Sequence, residues 1–169
     1  VLGSALWACA PDAPPAATAP PGATTQAAAQ LDEVQYWRAL TQPLNGEQVP
    51  GDGSFAVIVP RRDIDLESEM GQVPTSAGIA SRFYFFRCTC GKVKIVGDFL
   101  ACDFETDDVL DALRGGKFTI DSMGPILQNT RPIVYSIRFQ GEGDGPELIK
   151  ALRNALDETG RRAPPHSMN

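Results

Sequence analysis

The chain has 169 residues, 43% of them hydrophobic, and a formal net charge of −6. That length and apolar content support one packed core rather than two. With a pI near 4.7 it lacks the clustered Lys and Arg that nucleic acid or an anionic bilayer surface would require, and no run reaches the roughly 18 apolar residues that cross a bilayer, so membrane contact would need a covalent anchor.

Residues 1–9 read as the end of an apolar secretory segment. Leu6-Trp7-Ala8-Cys9 resembles the lipobox of bacterial lipoproteins, with Leu three before the Cys and a small residue directly before it; Trp7 stands where a small or branched residue is usual. The resemblance implies that the Cys9 thiol is acylated and becomes the mature N-terminus. Residues 10–25 are rich in Pro and Ala and almost uncharged, which predicts an extended tether rather than a core segment.

A single domain is expected over residues 26–160. It opens on an amphipathic helix from Thr25, with Ala28, Leu31, Val34, Trp37 and Leu40 at three-residue spacing, and Pro43 stops it. Gly, Pro and Asn between Leu44 and Gly53 predict a loop. Ser54 to Val59 reads as a buried strand closed by Pro60, whereas residues 60–80 are mixed and are left unassigned.

Phe83 to Phe86 and Lys92 to Val96 predict a hairpin turning at Gly91, the second strand alternating charged and aliphatic residues. A helix follows, capped by Thr106, with Asp107 and Asp108 at its positive end, a stripe of Val109, Leu110 and Leu113, and Gly115-Gly116 as its stop. Phe118 to Ser122 and Pro132 to Gln140 read as strands, the latter with Ile133, Tyr135, Ile137 and Phe139 on one face, which turns Arg138 toward water or a site. The last helix starts at a capping box, Asp144-Gly-Pro-Glu147, and buries Leu148, Ile149, Leu152, Ala155 and Leu156. Gly160 ends it, and residues 161–169 read as a flexible tail. This order predicts an α+β fold, a mainly antiparallel sheet with helices packed on one face.

Val96 to Arg114 carries a resemblance to the LppY/LpqO lipoprotein family, a bacterial secreted domain of unknown function. Gly97, Asp98, Phe99, Glu105, Val109, Leu110, Ala112 and Leu113 match its pattern in register. Pro60-Arg61 and Asp63 upstream match too, as do Gly141 and Gly143-Asp144 downstream, and the resemblance spans residues 46–158. Members often hold two copies of the unit; this chain is similar to one. The family pattern carries Ala-Leu-His-Asn-His where this chain has Ser122-Met123-Gly124-Pro125-Ile126, and a further His where Arg138 stands. Such imidazoles would suit a transition metal or acid-base chemistry. Here the one His is His166, in the tail.

Without a His in the folded part, nucleophilic Ser-His or Cys-His catalysis has no base. Asp103, Glu105, Asp107 and Asp108 cluster where helix capping and dipole complementarity account for them. Apart from Cys9, three cysteines remain. Cys102 lies about 33 Å of extended chain from the hairpin tip, out of disulfide range, and is expected to be a free, semi-buried thiol. Cys88 and Cys90 are open to three readings: incidental thiols, a local disulfide, or soft metal or redox ligands. Arg61, Arg62 and Asp63 follow a strand end and are candidates, with Arg138, for an anion or partner contact, against the plainer reading of a surface salt bridge.

The expectation is a lipid-anchored protein on the periplasmic side of a bacterial membrane, a non-catalytic accessory or binding module, as in a peripheral subunit of a membrane complex. No catalytic residue and no cofactor beyond the lipid on Cys9 is assigned, and no nucleic-acid partner. The alternative is a metal-binding or thiol-redox protein, or a divergent enzyme of the same family.

Overall fold

The computed structural model describes residues 23–160 apart from Asp52, with side chains from Asp32 onward except that of Thr75. Cys9, the 10–25 tether reading up to residue 22, and His166 therefore lie outside the described residues. The elements run α1 (Ala23–Thr41), β1 (Glu47–Pro50), β2 (Phe55–Pro60), β3 (Leu66–Ser68), β4 (Gly71–Val73), β5 (Ala80–Arg87), β6 (Val93–Cys102), α2 (Thr106–Gly115), β7 (Thr119–Pro125), β8 (Thr130–Arg131), β9 (Val134–Gly143) and α3 (Gly145–Asp157). No helix among the described residues is long and apolar enough to cross a membrane.

The main sheet is antiparallel throughout, in the order β1-β2-β5-β6-β9-β7. Its period-two alternation sends Phe55, Val57, Phe83, Phe85, Ile95, Phe99, Ile137 and Phe139 to one face, all buried. On that face lie the helices. Trp37 of α1 stacks on Phe55 with ring centroids 6.4 Å apart, Val109 and Leu113 of α2 are buried, and α3 contributes the five apolar residues expected of it. Asp144 caps α3, its Oδ1 accepting from the Glu147 amide at 3.2 Å, so a fixed helix start carries that stripe onto the sheet. Gly97 keeps this face flat: a Cβ there would sit 2.9 Å from the Phe139 ring. The α+β architecture with helices on one side of an antiparallel sheet is the one expected.

Three readings need correction, and one unassigned span gains structure. The span from Leu44 to Gly53 holds β1, an exposed edge strand whose side chains show no burial alternation to recognise. Residues 60–80 supply β3 and β4, which with β8 make a second sheet, ordered β4-β3-β8. That sheet lies over part of the opposite face of the main one and encloses a separate cluster of Ile64, Leu66, Ile79, Leu100, Cys102 and Val134. Consequently β6 runs on to Cys102: past Asp98 both faces are covered, and alternation disappears although the strand continues. Thr106 does not cap α2; its hydroxyl donates to the Cys102 carbonyl at 2.9 Å, and Glu105 takes the position before the helix without capping it.

Candidate functional site

Two charged groupings follow from this layering, one buried and one open. The buried one begins with Arg61, which turns in after β2, only 3% exposed. Its Nε and one terminal nitrogen donate to Asp63 at 3.0 and 2.8 Å, the same terminal nitrogen donates to both oxygens of Glu105 at 2.9 Å, and the other donates to the Leu100 carbonyl at 2.8 Å. Glu105 also accepts the Cys102 amide at 2.9 Å and the Gly160 amide at 2.7 Å. Gly160 holds a left-handed backbone (φ 72°), the conformation that glycine adopts most readily.

Burial alone would lower the Arg61 pKa, but the Asp63 hydrogen bond and the Glu105 and Asp63 charges outweigh it and hold it above its ordinary value. The same hydrogen bond, from Arg61, holds the Asp63 carboxyl below the usual range. Next to this cluster Cys102 is a buried free thiol. Burial first, and the Glu105 charge second, push its pKa up to about 12. With every guanidinium nitrogen of Arg61 engaged by Asp63, Glu105 or the Leu100 carbonyl, the cluster joins the ends of β2, β6 and α3 to the start of α2. It is a structural clamp.

Arg61 is therefore not brought to Arg138, as the sequence suggested. Arg62 is exposed beside it, and Asp63 is held by Arg61. The open grouping instead crosses three neighbouring strands at one level, Arg82 on β5 opposite Asp98 on β6, and Asp98 opposite Arg138 on β9. All three lie on the face away from the helices. Arg138 grips Asp98 with two parallel bonds, Nε to Oδ1 and a terminal nitrogen to Oδ2, both 2.9 Å, and this donation to Asp98 is the main cause that raises its pKa. Ser136 adds a longer bond to the same carboxylate at 3.4 Å.

Arg82 points the other way, donating to the carbonyls of Gly78 at 3.0 Å and Ala80 at 3.4 Å. Among the described residues no carboxylate forms an ion pair with it. These side chains border a cleft of about 440 Å³ whose other walls include Ile79, Leu100, Ile126 and Leu127. Two guanidinium groups against one carboxylate leave the cleft one positive charge in excess. Apolar walls with a few convergent polar groups are the usual composition of a ligand site.

A larger hollow, about 650 Å³, lies between α2, α3 and the end of β9. Its polar groups belong mostly to helix ends, Asp144 among them as the cap of α3. Among the described residues no group of three or more His, Cys, Asp or Glu side chains is placed to hold a metal ion.

Arg138 was visible in the sequence as the outward-facing charge of its strand. Arg82 and Asp98 were not read as its companions, although period-two alternation puts each on the same face as its neighbours Tyr84 and Val96; their pairing depends on register. Cys88 and Cys90 are joined as a disulfide at the hairpin tip.

Residues 38–158 match the model of a family described as a Domain of Unknown Function (DUF1259). No curated protein and no solved structure matches the chain.

Proposed function

Since the chain belongs to the DUF1259 family, we propose that it is a non-catalytic binding module, held on the periplasmic side of a bacterial membrane through lipid on Cys9, that presents its cleft to an acidic group of a membrane-assembly partner. The observation that carries this reading is Arg82, a guanidinium at an apolar-walled cleft whose hydrogen-bond partners among the described residues are neutral carbonyls. An incoming carboxylate would form charge-assisted bonds there. Arg138 cannot accept a metal, and its pairing with Asp98 leaves the cleft cationic on balance.

The finer resemblance to the LppY/LpqO lipoproteins supports the same location for the site. Of the three positions that carry histidine in that pattern, 126 and 138 border the cleft, and 124 lies opposite Ser136, which also borders it. In this chain they are Ile126, Arg138 and Gly124, residues fitted to anion and apolar contact rather than to cation binding. The lipobox and the Pro/Ala-rich segment after it support a domain that works at a distance from the bilayer.

The test is a mild-detergent pull-down from native membranes with the Cys9 form, a Cys9→Ser form and an Arg82→Gln form, read by mass spectrometry. Stoichiometric partners are expected with the first and not the second. Arg82→Gln is expected to keep the membrane location and weaken partner recovery about tenfold, the loss of one charge-assisted contact. A lone acylated protein, or recovery indifferent to Arg82, would overturn the proposal.

A further inference from the structure

The tip of the β5–β6 hairpin carries chemistry that the cleft does not use. The bond between Cys88 and Cys90 encloses only Thr89, a loop so short that the entropic gain from cross-linking is near its smallest. Nor does the turn need it. The Cys88 amide donates to the Lys92 carbonyl at 2.9 Å, the Gly91 amide donates to the Cys88 carbonyl at 3.0 Å, and Gly91 supplies the left-handed residue at φ 84°. A cross-link that adds little to the fold of its own turn is free to serve as a reagent.

The two sulfurs are not equivalent. Cys90 is exposed and Cys88 half-buried, and the Cys90 backbone amide donates to Cys88 Sγ at 3.3 Å. A donor on sulfur favours thiolate over thiol, so Cys88 is the better leaving group and Cys90 the accessible point of attack. Of the cations on the two strands that meet at the tip, Lys92 and Lys94 pair with Glu142, and the Arg87 guanidinium lies over the Tyr36 ring.

We propose that Cys88 and Cys90 form a thiol–disulfide exchange centre whose substrate is an exposed dithiol of another protein. A substrate thiolate attacks Cys90 Sγ; the bond between Cys90 and the substrate forms as the Cys88–Cys90 bond breaks, and Cys88 leaves as thiolate on the Cys90 amide. The second substrate thiolate then attacks the substrate sulfur of the mixed disulfide, closing the substrate disulfide and releasing Cys90. The substrate loses two electrons and two protons, and the Cys88 and Cys90 pair takes up both as two thiols. This activity is independent of the cleft.

The test uses the full chain in a graded series of reduced and oxidised glutathione, with acid quench, alkylation and peptide mapping so that Cys9 and Cys102 are read separately. The Cys88 and Cys90 pair is expected to pass from bonded to free within the series. Cys88→Ser is expected to accumulate a mixed disulfide with glutathione on Cys90 at least about tenfold faster than Cys90→Ser does on Cys88, because glutathione is the leaving group in both and Cys90 is the exposed thiol. A wild-type pair that stays bonded, or stays as two thiols, across the whole series would overturn the proposal whatever the variants do, and so would equal rates in the two variants.

Discussion

Glu105 shows how one side chain can serve several elements at once. With 1% of it exposed, it accepts from Arg61, the Cys102 amide and the Gly160 amide, and so ties a strand end, a helix start and the end of α3 to the turn after β2. Replacing it by Ala leaves the Arg61 guanidinium buried with Asp63 as its remaining carboxylate. The expected loss is about 3 kcal/mol, the lower end for breaking a buried pair, checked by urea denaturation. Asp63 adds a dependence on pH. Its carboxyl is held below its ordinary range by the Arg61 hydrogen bond, so its contribution is complete above the unfolded value of about 4 and is lost as pH falls through the lower folded value. The Asp63→Asn variant is expected to show a shallower loss of stability on acidification below that point, measured by denaturation midpoints across an acid series.

At the scale of elements, strands with one wet face announce themselves and strands covered on both faces do not. The first half of β6 alternates, with Val93 and Ile95 buried and Lys94 and Val96 exposed, whereas Phe99, Leu100, Ala101 and Cys102 are all buried. Helix α3 is the converse case, legible because its cap and its stripe are both local. Its start depends on the Asp144 bond to the Glu147 amide. Asp144→Ala is expected to cost about 1 kcal/mol, seen as a lower thermal midpoint with the fold retained. The same kind of local reasoning placed a cap at Thr106, and it failed there because the Thr106 hydroxyl bonds the Cys102 carbonyl while Glu105 is engaged by Arg61. A cap can be read from its own segment only when no distant partner competes for the side chains.

For the whole molecule, the second sheet is what turns a two-layer α+β domain into one with a cleft. Ile79 and Leu100, packed in the cluster under that sheet, also wall the cleft beside Arg82, Asp98 and Arg138. Leu66 is fully buried in this cluster, apart from the helix-side core. Leu66→Ala is therefore expected to cost about 2 to 5 kcal/mol and to release amide protection in β3, β4 and β8 before the main sheet, as hydrogen exchange would report.

The amino-acid sequence by itself determined the α+β class, the helices, most strands of the main sheet, the outward direction of Arg138 and the isolation of Cys102. Those properties rest on periodicity, caps and chain reach, all of which act over a few residues or along a single extended strand. The tertiary structure decided that Arg61 pairs with Glu105, that Arg82, Asp98 and Arg138 share one level of the sheet, and that residues 60–80 fold into a second layer. Each of these depends on strand register and on partners far apart in the chain, and a one-residue change of register would reverse the face on which every side chain stands.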